Sequence, residues 1–330
     1  MTEYSQFLTK QKTNKMAENK QVNLANPVLN SPTFAGELAL PYIHASVISA
    51  PTLHGGNVTL LDGIRYKAII PVMSFGTGGA SLIKSADCDF DTSATTDLDE
   101  TSLTITDQMV NLQLCKKQFN TWWQGDAYSV NSGVPDDYAD AILLYVAKFV
   151  QADIENNIWM GNATASGHTA FNGFKQLSGN TAGATELTNS IVDQSSVIAG
   201  LQEIITAMPE GIVGDFENTN IYVNPATISA YNLAVGQTGD GYNSAVANAP
   251  QTKFVGYKLV SAPGIASGEA CVGNKNNLFV GIGTADSDSL AQAIDMTPLD
   301  GSDNYRITMR FGVGCAIGVV GDVKWFKNDA

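Results

Sequence analysis

Residues 135–161, Pro-Asp-Asp-Tyr-Ala-Asp-Ala-Ile-Leu-Leu-Tyr-Val-Ala-Lys-Phe-Val-Gln-Ala-Asp-Ile-Glu-Asn-Asn-Ile-Trp-Met-Gly, read as one long helix with both ends marked. Pro135 suits the first helical position, where its missing N–H is no loss. Asp136, Asp137 and Asp140 place negative charge at the positive end of the helix dipole. Gly161 offers a left-handed stop. Ile142, Val146, Phe149, Val150, Ile154 and Ile158 recur at spacings of three and four and predict one apolar face. Asp137, Asp140, Lys148, Gln151 and Glu155 are expected on the opposite side. About 25 residues give a rod of roughly 37 Å, long enough to act as the spine of a domain.

Upstream of this helix the chain is polar and then strand-like. Residues 1–35 form a polar arm whose Lys10, Lys12, Lys15 and Lys20 are the main local basic bias. The arm lacks an apolar core segment, so no secretory signal is expected. Ile64–Met73 is rich in strand formers and interrupted by Pro71. Asp87–Glu100 is polar and acidic. Thr101–Leu114 alternates apolar and polar and predicts one half-buried strand. The region therefore reads as a long two-stranded excursion, which cannot bury enough surface by itself and calls for a cover from another chain.

Downstream, Gly161–Gly183 is loop-rich. A helix is expected over 191–208, with Val197, Ile198, Leu201, Ile204, Ile205 and Met208 inward and Pro209 ending it. Asn220–Val223 reads as a strand. Asn224-Pro225 supplies an N-cap and a first-turn proline for a helix reaching Val235. Phe254–Val260 and Asn277–Ile282 read as strands, and Tyr305–Phe326 as a glycine-rich terminal strand region. No repeat is visible at solenoid periods. The class is α+β with segregated elements.

Composition narrows the function. The 330 residues carry 44% hydrophobic and only 15% charged side chains, with 32 acids against 18 bases and a net charge of −14. A dedicated nucleic-acid reader needs a basic face that this chain has little means to build. The longest apolar run, near 141–147, is too short to span a bilayer. Cys88, Cys115, Cys271 and Cys315 lie far apart, so reduced thiols are expected rather than a disulfide scaffold.

No position presents itself for chemistry. Gly281-Ile-Gly283 hints at a dinucleotide loop, but Asp286 stands where the third glycine belongs, and a strand-end turn is expected instead. Asp87, Asp89 and Asp91 alternate like the start of a calcium loop. Thr92 and Leu98 occupy the positions that need Gly and Glu, leaving a solvated acidic loop or a weak interface cation site. His44, His54 and His168 lack metal-ligand spacing. Neither a serine-nucleophile elbow nor an activated cysteine is recognisable. Catalytic, cofactor-binding and metal-ligating residues are therefore assigned to no position.

The order of these features resembles the tailed-phage major capsid proteins of the Hong Kong 97-like fold. The resemblance is carried by the spine (136–161), Phe171-Asn-Gly-Phe174, Ser190–Met208, Ile221-Tyr-Val-Asn-Pro225 with its helix, Val255–Val260, Asn277–Gly281 and Tyr305–Phe326. It spans about 60–326 as an ordered pattern. It implies an N-terminal arm and first strands (1–60), an extended β-hairpin loop (61–114), and a peripheral domain (115–189) with the spine helix at 136–160. It further implies an axial domain (190–300) and C-terminal strands returning to the peripheral domain (301–330).

The implied function is self-assembly of pentamers and hexamers into an icosahedral shell around double-stranded DNA. Such a protein is expected in the virion, after assembly in the host bacterial cytoplasm. Portal, scaffolding or decoration proteins are its natural partners, with no cofactor and no membrane. A negative shell suits DNA held without sequence specificity and later released. Some relatives cross-link their shells between a loop Lys and a neighbour's Asn, assisted by a Glu. Lys67 and Lys84 are available here, but Tyr305–Cys315 contains neither Asn nor Glu. Two other readings remain: an encapsulin-type bacterial nanocompartment shell, and a β-rich adhesin or ligand-binding domain. The long arm and acidic excursion favour the virus shell.

Overall fold

A computed structural model describes residues 51–75, 96–115, 136–164, 170–179, 184–238, 252–283 and 291–328. The spine helix runs Asp136–Met160, 25 residues, as the spacing predicts. Val146, Val150, Ile154 and Ile158 are buried along it. Two positions depart from the predicted face. Phe149 is 60% exposed, and Glu155 is only 2% exposed. The cause is tertiary: the second half of the helix enters the body of the protein and is buried on several sides, with Trp159 at its centre.

Gly161 also acts differently from a left-handed stop, since its φ is not positive. It donates to Asn157 O at 3.0 Å, and its own carbonyl accepts from Gly173 N at 2.8 Å. A Cβ on either glycine would collide with backbone atoms of the other's segment. Gly161 and Gly173 are thus required by close backbone approach.

Two sheets flank this helix. In the first, β1 (Thr59–Ile64) runs parallel to β10 (Leu278–Gly283), which pairs antiparallel with β12 (Asn304–Ile317). β12 also pairs with β11 (Ala291–Asp295) and, from Asn304 to Val313, with β4 (Thr106–Cys115). The spine helix packs on this sheet through a core containing Val150, Ile158, Ile307, Met309 and Val313.

The second sheet has the order β5-β13-β9-β6-β8-β7, with β5 at Thr185–Glu186, β6 at Thr219–Val223, β7 at Lys253–Phe254 and β8 at Tyr257–Ser261. β9 is Glu269–Asn274 and β13 is Lys324–Lys327. Strand alternation divides its side chains. Tyr222, Cys271 and Trp325 join the spine-helix core. Ile221, Val223, Ala270, Val272 and Phe326 join a second core under helices Val197–Thr206 and Pro225–Thr238. With both faces covered, all five residues of β6 are buried.

The predicted N-cap is in place: Asn224 Oδ1 accepts from Ala226 N at 3.0 Å, and Asn224 Nδ2 donates to Ile265 O at 2.7 Å. Four sequence readings are corrected. The helix expected over 191–208 is regular only from Val197 to Thr206. Phe254–Val260 is a hairpin, because Val255 and Gly256 both take positive φ, 48° and 91°, between β7 and β8, as a tight turn of this kind demands. Thr101–Leu114 is two strands, broken at Ile105. The C-terminal strands, expected to return together, part company: β12 pairs in the spine-helix sheet, whereas β13 pairs with β9 and β5 in the other.

Candidate functional site

The most distinctive surface is a hairpin. β2 (Lys67–Phe75) pairs antiparallel with β3 (Thr96–Thr104) along their whole length, from Lys67↔Thr104 to Phe75↔Thr96. The two-stranded excursion is thus shorter than 61–114, because β1 and β4 belong to the first sheet. Period-two alternation gives the ribbon two faces. Ala68, Ile70, Thr101 and Leu103 face the body near its base. Ile69, Met73 and Leu98 lie on the other face and are 58%, 65% and 75% exposed.

The base is held by a bed of glycines. Leu103 is fully buried, and with Ile105 and Ala316 it forms a small core joined by Ile64, Ala68 and Ile70. The crossing segment Leu103–Ile105 lies over Gly281 on β10 and over Gly312 and Gly314 on β12. A Cβ on Gly314 would collide with Thr104 O, and one on Gly281 would press on Leu103, Ile105 and Ile64. Gly281-Ile-Gly283 is therefore the paired end of β10 itself rather than the expected turn after it. Its glycines clear space for a crossing chain and cradle no phosphate. Ile105 N donates to Tyr66 O at 2.9 Å, and Thr101 Oγ1 donates to Gly318 O at 3.1 Å, which closes the anchor.

A second polar cluster locks the segment just before β1 onto the spine. Glu155 accepts from Thr52 N at 3.2 Å, from Thr52 Oγ1, and from Trp159 Nε1 at 3.1 Å. Burial pushes its carboxyl above the ordinary value of 4.5, against the lowering effect of these donors. Five residues on, Asn57 O accepts from Tyr222 OH, and Asn57 Oδ1 accepts from Lys258 Nζ at 2.9 Å. Trp159 packs against Phe174, Tyr222 and Trp325, with ring centroids 5.3, 4.9 and 6.3 Å away. Lys175 Nζ bridges Glu269 at 2.7 Å, and Trp325 Nε1 donates to the same carboxylate. Glu155, Thr52, Trp159 and Tyr222 are buried, whereas Lys175 and Glu269 are half-buried and Lys258 is exposed, so the cluster ties the two cores together from the interior outward.

Among the described residues no cluster of three or more His, Cys, Asp or Glu is arranged to hold a metal, and no helix is long and apolar enough to cross a membrane. Asp87, Asp89, Asp91, Cys88, Lys84, His44 and His168 lie outside the described residues. Cys271 and Cys315 are free and buried, and burial pushes both thiols well above their ordinary range. Sequence reasoning missed Glu155 and Thr52. The signal available was an acidic residue at i−4 from the helix's only tryptophan, whose indole N–H needs an acceptor when buried.

No protein-family model and no curated protein matches this sequence. Solved structures do. A chain of the satellite phage P4 procapsid, with its size determination (Sid) protein, aligns over 99% of this chain and 98% of its own at 11% identity, with a TM-score of 0.56. A Gordonia phage Cozz structure aligns over 84% and 87% at 13% identity, TM-score 0.55. The capsid of an empty GTA particle aligns over 86% and 91% at 13% identity, TM-score 0.54. Likeness at such identities speaks for backbone arrangement alone. On that ground the chain has the phage capsid fold, as the order of its elements leads one to expect.

Proposed function

We propose that this chain is a structural, non-enzymatic major capsid protein that assembles with copies of itself into a closed icosahedral shell around double-stranded DNA. The observation that carries the reading is the end-to-end alignment with a procapsid chain, 99% of one on 98% of the other. The anchored hairpin supports it, since a ribbon with an exposed apolar face is stable only when something covers it. On this reading the hairpin is the extended loop, the spine helix belongs to the peripheral domain (115–189), and about 190–300 forms the axial domain of pentamers and hexamers. The location is the virion, after assembly in the bacterial cytoplasm. Portal, scaffolding and decoration proteins are the further partners. Many modest contacts per subunit add up by multivalency while each stays correctable.

Negative-stain microscopy and sedimentation of the purified full chain test this. Closed particles of uniform size are expected, and a monomer at all concentrations would refute it. Nuclease-protected DNA inside particles from infected cells distinguishes a virus shell from an enzyme-filled nanocompartment.

A further inference from the structure

A groove of about 400 Å³ lies between the spine helix and β4, and Asn157 forms part of its wall. Asn157 is 2% exposed. Its Nδ2 donates to Asp153 O at 2.9 Å, which fixes Oδ1 as the other end of the amide. That Oδ1 meets no donor among the described residues. Buried side-chain oxygens are nearly always paired, so an orphan on the wall of a groove points to something the groove receives. Asp153 lines the same groove, four residues back on the same helix face. It is exposed and, among the described residues, makes no ion pair. The third polar side chain there, Gln108, donates through Nε2 to Ala170 O at 2.9 Å. No Lys, Arg or His lines the groove, and its other walls are apolar, with Phe149, Phe171 and Phe311 among them.

We propose that this groove binds a primary alkylammonium, a small molecule with one cationic amine end and a slim apolar tail. The ammonium donates to Asn157 Oδ1 and to the Asp153 carboxylate, and the tail lies along Phe149, Val110 and Phe311. The lining selects this class. Asn157 Oδ1 and the Asp153 carboxylate only accept, and an ammonium offers donors alone. A phosphate, carboxylate or nucleotide would face Asp153 without a cation to hold it. A water would satisfy Asn157 but leave the apolar walls wet. Burying an unpaired cation is costly, and Asp153 supplies the pairing charge while the aromatic faces add a weaker attraction. The volume is that of a small-molecule pocket, which favours a free amine over a polypeptide bearing the same group on lysine. The site belongs to the single subunit and does not rest on the self-assembly reading.

The test is calorimetric titration of the purified full chain with hexylamine, 1-hexanol and cadaverine, at neutral pH and across a salt series. Hexylamine, charged at that pH, should bind about tenfold more tightly than 1-hexanol, which has the same tail and no charge. Cadaverine places a second ammonium against the apolar wall and should bind more weakly than hexylamine. Asp153→Asn, at an exposed position that leaves the fold intact, should weaken hexylamine about tenfold and leave 1-hexanol unchanged. Asn157→Leu should likewise weaken hexylamine. Absence of hexylamine binding would overturn the proposal, as would equal affinity for 1-hexanol or indifference to Asp153→Asn. Cadaverine binding tighter than hexylamine and falling steeply with salt would overturn it too, reducing the effect to the attraction of a chain of net charge −14 for any polycation. Tighter binding of Nα-acetyl-lysine amide than of hexylamine would overturn the free-amine assignment and give the groove to a polypeptide's lysine.

Discussion

The glycine bed under the hairpin can be tested by a double-mutant cycle at Gly281 and Leu103. A Cβ added at Gly281 would stand 3.0 Å from both Ile105 Cδ1 and Ile64 Cδ1, and closer still to Leu103 Cδ2. Carbon atoms in good contact sit about 3.5–4.0 Å apart, so three side chains must give way. Leu103 is fully buried and cannot swing into solvent. Overpacking of this kind costs about 1–3 kcal/mol, less roughly 0.4–1 kcal/mol regained from a stiffer unfolded chain. Leu103→Ala leaves a void and costs about 2–5 kcal/mol. In the double variant the new methyl enters space that Leu103 vacated, so the two losses should not add. A favourable coupling of roughly 1–2 kcal/mol is expected, clear of the ~0.5 kcal/mol scatter of independent sites. Urea unfolding of unassembled subunits, followed by tryptophan fluorescence, measures all four corners. Strict additivity would show that Gly281 is not kept bare for Leu103.

Three further outcomes follow from the geometry. Glu155 has a raised folded-state pKa, so its contribution is fully present below its unfolded value, near 4.5, and is lost as pH rises through the folded one. Subunit stability should fall across that window, and Glu155→Gln should flatten the slope in a pH series of urea melts; an unchanged slope would remove Glu155 as its source. Phe149→Ala should leave a folded, soluble subunit within about 0.5 kcal/mol of the parent, as exposed positions do. Trp159→Ala should cost about 3–5 kcal/mol, and equal losses in calorimetry would contradict the exposure assigned to Phe149. Finally, particles boiled in detergent should run as one band near 34.9 kDa. Tyr305–Cys315 offers Lys67 and Lys84 neither an Asn amide to attack nor a Glu to take up the proton, and lysine attack on an amide needs a base. A ladder of covalent multimers would reveal a carboxylate acting from elsewhere.

What the sequence determined by itself was whatever local chemistry specifies. The spine helix is bounded at Asp136 and Met160 because first-turn acids and a 3.6-residue period act within one segment. The helix after Asn224 starts where an Asn side chain can cap its own backbone. The order of such elements was enough to indicate the fold. What only the tertiary structure decided was set by distant partners. Glu155 is inward because Thr52, 103 residues away, donates to it. Gly281 is a strand residue because Leu103 crosses it. Thr101–Leu114 breaks at Ile105 because its first half pairs with β2 and its second half with β12. β12 and β13 part into different sheets for the same reason. Periodicity records which faces are apolar, but it does not record what will lie against them, and strand pairing is fixed by those neighbours.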